Sequence, residues 1–324
     1  MKTHAAAAFA ATCLLASAAF AQDDYAVPRT PHGHPDFQGI WMGHALLPLE
    51  ARPGVPELVV SEERAREIQA EIVEEIETLP FNHHDPEVPQ IARDAEGMAV
   101  VRGERRTRQL VEPADGRLPL TPAARREIDQ LDSFFSTYIN PPVLADNPEE
   151  RPVWERCIAM EGRPPFTSAH SPHPRRIVQT ADHVVIHTEY GDEARIIPFT
   201  DTHGPAVLRP HLGDSIARWE GDTLVIETVH LQPKDRMRYF PHLIVPSTST
   251  VVEKYTRLSD DELLYQYTII DPATYTEPWL AEYSIYRTDQ QMYEFACHEG
   301  NYSLPNIMAA ERERERRGEP PRVR

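Results

Sequence analysis

The chain has 324 residues, and its 33 Lys+Arg against 51 Asp+Glu give a formal net charge of −18. Such an acidic balance argues against nucleic acid and anionic membrane surfaces as partners. The length allows one large domain, or one domain with an appendage, around a sizeable core.

The first residues decide what the cysteines can be. Lys2, an alanine-rich apolar run from Ala5 to Leu15, and Ala19-Phe20-Ala21 before Gln22 read as a secretory signal peptide over 1–21. No segment approaches the roughly 20 apolar residues of a spanning helix, so a soluble periplasmic or secreted protein without stable membrane insertion is expected. Cys13 leaves with the signal, and Cys157 and Cys297 then meet an oxidising compartment in which paired thiols become a disulfide. A bridge closing so long a loop is worth roughly 5 kcal/mol in the chain-entropy account, less any strain.

Residues 22–59 read as an extended arm, ending in PHGHPD, followed by a first strand in FQGIWMG. Gly39-Ile40-Trp41 has the G-x-W form that opens lipocalin-like barrels, with the tryptophan plugging the floor; a simple buried strand is the plainer reading. Residues 60–150 change character and read as a helical insertion or cover. Ser61 is expected to cap a helix through about Thr78, with Ile68, Ile72, Val73 and Ile76 on one face. Thr121 and Pro122 start another, with Ile128, Leu131 and Phe135 inward. Between them, NHHDPEVPQ and VRGERRTR read as loop.

From Arg176 the period becomes two. Eight strands are expected within 151–303, near Ile177–Tyr190, Ala194–Phe199, Ile216–Glu220, Thr223–His230, Thr250–Leu258, Leu263–Asp271, Trp279–Arg287 and Met292–Cys297. Short polar turns, among them Tyr190-Gly191-Asp192 and Glu220-Gly221-Asp222, demand antiparallel neighbours. The expectation is a mainly β fold, an antiparallel meander barrel, with a C-terminal helix and tail over 304–324.

Alternation then sorts the side chains. Leu263, Tyr265, Tyr267 and Ile269 share one face, as do Trp279, Ala281, Tyr283 and Ile285, with Tyr293, Phe295 and Cys297 as a third strip. Aromatic strips usually form core, yet Tyr267, Tyr275, Trp279, Tyr283 and Trp219, with Glu227, are also the residues expected to line a cavity for an apolar ligand. His183, Val185, His187 and Glu189 form a polar strip, either the solvent face or a polar lining in which Glu189 pairs with Arg195 across the hairpin. Glu227 shares a face with Val225 and Val229; if inward, it needs Arg218 or Arg257 as a partner.

YEFACHEGNY, from Tyr293 to Tyr302, lacks the spacing of a haem or zinc-protease motif, leaving His298 and Glu299 open for chemistry. The histidines as a whole show no metal-ligand spacing, so no metal and no cofactor is expected. A proton carrier, His203 or His298, oriented by Glu189 or Glu299 with Arg195 as anion stabiliser, is the candidate acid–base constellation. The partner would be a small apolar or aromatic molecule; catalysis, pure binding and a metal-dependent reaction at loop histidines remain alternatives.

The strings RIIP, GDSIARWEGDTLVIET, DPATYTEPW and YEFACHEGNY, with PDFQGIW near the start, together resemble a widespread family of exported bacterial proteins. The resemblance spans most of Ile177 to Met308 and implies export, but carries no activity. The matching positions are Glu189, Arg195, His203, Asp214, Trp219, Glu220, Asp222, Glu227, Trp279, Cys297, His298, Glu299 and Asn301. The stretch DTHGPAVLRPH departs from the family's usual loop.

Overall fold

A computed structural model describes residues 25–43, 47–78, 98–136, 147–151, 153–166, 173–233, 237–239 and 242–319. The expected signal peptide and the NHHDPEVPQ loop lie outside the described residues, as do the side chains of Ile76, Leu131 and Phe135.

In chain order the strands are β1 (Gly39–Met42), β2 (Val59–Val60), β3 (Val100–Val101), β4 (Glu104–Arg106), β5 (Leu110–Glu112), β6 (Arg175–Gln179), β7 (His183–Thr188), β8 (Glu193–Pro198), β9 (Asp214–Glu220), β10 (Thr223–Val229), β11 (Met237–Tyr239), β12 (His242–Ile244), β13 (Thr250–Arg257), β14 (Glu262–Ile270) and β15 (Trp279–Arg287). Nine of them form one antiparallel path, β8-β7-β6-β1-β15-β14-β13-β10-β9, with β5 added against β15. The sheet curls into a nearly closed barrel, because the two path ends meet at a bridge between Phe199 and Ala217. Nine alternating strands cannot close with every pair antiparallel. The odd count makes the closing pair, β8 and β9, parallel, and among the described residues Phe199–Ala217 is the bridge that joins them.

The aromatic faces of β14 and β15 point inward as alternation requires. Tyr265, Tyr267, Trp279 and Tyr283 are buried, and they pack with Trp41, Phe37 and Phe166 in one continuous core. Trp41 donates its indole N–H to the Phe37 carbonyl at 2.8 Å, and the Arg287 guanidinium covers its ring at 4.5 Å. The arm crosses that barrel end: Arg29 makes a two-point ion pair with Asp222, and the Phe37 amide donates to Gln179.

Seven of the eight expected strands are present, and the first is two. Ile177–Tyr190 is a hairpin, with Thr180 Oγ1 accepting the His183 amide at its turn. Met292–Cys297 is not a strand; Cys297–Gly300 is a short helix instead, so Tyr293, Phe295 and Cys297 form no barrel face.

The 60–150 region holds the helices Glu62–Thr78 and Pro122–Ser136, capped by Ser61 and Thr121 as their sequences demand. It also holds a small β2-β4-β3 sheet where VRGERRTR reads as loop. Two of the basic residues there, Arg106 and Arg108, are buried rather than solvated, while Arg102 stays exposed. Arg108 is buried and donates to the carbonyls of Leu110, Pro56 and Ala114, and Arg106 pairs with the buried Glu282 at 3.2 Å. A charged string marks a loop only when its charges lack partners. The final helix, Ser303–Arg316, stops before Gly318, whose φ of 68° is left-handed.

Candidate functional site

Two ionisable clusters lie on opposite sides of the same wall. Inside, Arg195 on β8 makes a bidentate pair with Glu253 on β13, at 3.1 and 2.6 Å. The same guanidinium donates to Ser215 Oγ and Thr228 Oγ1, and Tyr265 donates its hydroxyl to Glu253 at 2.8 Å. Burial opposes the Arg195 charge, but Glu253 outweighs it and holds the guanidinium pKa above its ordinary value. Burial and the Glu253 charge push the Tyr265 hydroxyl well up, so it stays a donor. Arg195 thus ties β8 to β9, β10 and β13 across the parallel seam.

Outside the wall, the loop between β8 and β9 brings His203 against the outward residues of β9 and β10. Its Nε2 lies 3.2 Å from Glu227 Oε1 in a hydrogen bond. Its Nδ1 lies 3.2 Å from Asp214 Oδ2, within ion-pair distance but without hydrogen-bond alignment. Asp214 is held in turn by the Gly204 amide at 2.7 Å, and His230 Nδ1 approaches the same oxygen at 3.4 Å. His230 has a left-handed φ of 56°, an uncommon conformation for a non-glycine residue. The loop's last residue must be glycine: Gly213 has φ 76°, and an added Cβ would stand 2.6 Å from Thr228 Cγ2. Val207 and Leu208, on the same loop, are 85% and 62% exposed.

The expected Glu189–Arg195 pair does not form. Pairing of Thr188 with Glu193 leaves four residues in the turn, 189–192, and sets Arg195 opposite Ile186. A three-residue turn would set it opposite His187; one extra residue moves it to the inner face. Glu189 instead accepts the Tyr293 amide at 2.8 Å. His183, Val185 and His187 lie on the outer face, the plainer of the two readings. Glu227 is outward as well, so its partner is His203 rather than Arg218 or Arg257.

The remaining candidates divide cleanly. His298 and Glu299 are exposed on the short helix and do not join His203. Trp219 stacks on His34 at 4.8 Å, with Phe37 and Phe199 beside it, at the barrel end crossed by the arm. Tyr267, Tyr275 and Tyr283 are core residues whose hydroxyls donate to Gln109, the Ile244 carbonyl and the Phe166 carbonyl. Trp279 packs edge-on between Tyr267 and Tyr275, each at 5.6 Å. These four aromatics fill the interior.

Cys157 and Cys297 form the expected disulfide, and Asn301 donates to the Glu155 carbonyl beside it. Among the described residues, no helix is long and apolar enough to cross a membrane, and no group of three or more His, Cys, Asp or Glu side chains is placed to hold a metal ion. Comparison of the chain with protein-family models and with curated proteins returns no match.

Sequence reasoning missed Glu253, Asp214 and His230 as working members. Glu253 was signalled by alternation, since Val251, Glu253, Tyr255 and Arg257 share a face, but that face mixes apolar and charged residues. His230 follows β10 directly, and the turn that aims it at Asp214 leaves no periodic trace.

Proposed function

We propose that this is an exported barrel protein that performs cofactor-free acid–base chemistry, of the lyase, isomerase or hydrolase kind, on a small and mostly apolar molecule. The observation that carries the reading is His203, whose two ring nitrogens each face a carboxylate at 3.2 Å. An imidazole so placed is held in orientation by its hydrogen bond to Glu227 and can exchange a proton with the carboxylates it faces. The site belongs to the outer wall under the 200–213 loop, because the barrel interior is occupied by its own aromatic side chains. Val207 and Leu208 supply apolar surface on that loop for the body of the substrate. The disulfide supports an oxidising compartment and hence export.

The test is a turnover screen with esters, lactones and activated C–H acids, run on the wild type and on His203→Gln and Glu227→Gln. Loss of turnover by about 100-fold or more in His203→Gln, with ligand affinity retained, is expected for a proton carrier. Turnover equal to wild type in both variants would refute the assignment, and unchanged binding without any turnover would favour the pure binding protein.

A further inference from the structure

A second polar cluster lies at the barrel end where Arg175, Thr188 and Glu193 stand in register on β6, β7 and β8. Arg175 is buried, its side chain only 8% exposed, and its guanidinium covers the Phe166 ring at 4.4 Å. Its Nε is buried with no hydrogen-bond partner among the described residues. Its Nη2 has a long contact of 3.4 Å to Glu161 Oε2. Nε and Nη2 form the side edge of a guanidinium, the edge that takes a carboxylate through two parallel hydrogen bonds. An unpaired donor buried on that edge is a costly arrangement unless something meets it.

Glu161 sits beside the edge, with its side chain 26% exposed. Around it are Arg175 from β6, Glu193 from β8, Tyr190 and Tyr283, with Arg163 turned to the Met160 carbonyl, while His173 faces Arg175 and Glu189. Glu193 accepts the Met160 and Gly162 amides at 2.9 and 2.7 Å and so fixes the turn that carries Glu161. His173 stacks on Tyr190 at 4.4 Å, and Phe295 packs on the same ring at 4.6 Å. The surroundings of the guanidinium edge are therefore aromatic.

We propose that the Nε/Nη2 edge of Arg175, with Glu161 beside it, binds the carboxylate of a small aryl or alkyl acid. The carboxylate meets the fork of Arg175, and a protonated Glu161 donates to it; an ionised Glu161 repels it. Burial pushes the Glu161 carboxyl up to about 7, with Arg175 opposing and Glu193 adding to the shift. His173 is held low, at about 4, by burial and by Arg175, with Glu189 opposing, so it is neutral across the working range. Binding should then weaken as pH rises through about 7, close to tenfold for each unit above it.

The proposal is independent of His203 and is tested with benzoate as the probe and benzamide as its uncharged twin. Calorimetric titration of the full-length mature protein below about pH 6 is expected to show saturable benzoate binding and none of benzamide. Glu161→Gln should keep that binding and lose its pH dependence, while His203→Gln should leave both unchanged. Arg175→Gln should lose the site, with circular dichroism checking that it folds. Absence of benzoate binding in the folded wild type, equal binding of benzamide, or a pH step that persists in Glu161→Gln would each overturn the proposal. The last two do not depend on Arg175→Gln being stable.

Discussion

Arg195 and Glu253 meet inside the barrel at 2.6 Å with side-chain exposures of 2% and 0%, and their pair spans the seam where the sheet lacks a full backbone ladder. Removing one partner leaves an uncompensated buried charge, a loss of about 3–5 kcal/mol. Glu253→Gln is therefore expected to lower the urea midpoint strongly. The double variant Arg195→Met, Glu253→Leu should recover much of that loss, since an apolar pair of similar volume is often neutral. A double variant no better than the sum of the singles would show that Ser215, Thr228 and Tyr265 depend on the charges themselves.

The inward aromatic faces of β14 and β15 were legible because their apolar and aromatic residues keep period two along each strand, although Leu264, Glu282 and Ser284 are buried on the other face. Arg195 was not, since its face depends on whether the preceding turn holds three residues or four, and Tyr190-Gly191-Asp192 gives no sign of the extra Glu189. Arg106 and Arg108 were misread for a related reason. A sequence shows the charge but not the carbonyls and the Glu282 carboxylate that meet it. His203 was legible as a loop histidine, yet its partners come from strand positions whose outward direction only the closed barrel fixes.

The barrel end at Glu161 should titrate in two opposing ways. Glu161 has a folded pKa of about 7, raised by burial above the ordinary 4.5, so the native state binds the extra proton between those values and stability falls as pH rises through that window. His173 is the reverse: its folded value of about 4 lies below 6.5, so stability rises across that range. Each amounts to about 3 kcal/mol at most, and in the wild type they nearly cancel. Denaturant titrations from about pH 4 to 7 should show a rising slope in Glu161→Gln and a falling one in His173→Gln. Parallel slopes in the two variants would contradict the assignment of the two groups.

The arm is expected to hold through one side chain rather than through its ion pair. Arg29 and Asp222 are each about half exposed, so Arg29→Ala should cost less than about 1 kcal/mol and lose even that in high salt. Phe37 is fully buried against Trp219 and the barrel core, and Phe37→Ala should cost about 3–5 kcal/mol. Paired denaturation curves at low and high ionic strength separate the two contributions. Trp219 fluorescence adds a local report, expected to shift in Phe37→Ala and not in Arg29→Ala.

The disulfide closes a separation of 140 residues and ties the segment before Phe166 to the short helix at Cys297. In the chain-entropy account, releasing it frees the unfolded chain and removes about 5 kcal/mol of stability, less any native strain that is relieved. Asn301 remains bonded to the Glu155 carbonyl after reduction, so the local geometry should persist while the melting temperature falls. Mass spectrometry of the protein before and after reductant should show a gain of a pair of hydrogens, accompanied by that fall. A reduced protein with an unchanged melting temperature would show that the segment is held by its packing, with Phe166 bonded at both its amide and its carbonyl by Tyr265 and Tyr283.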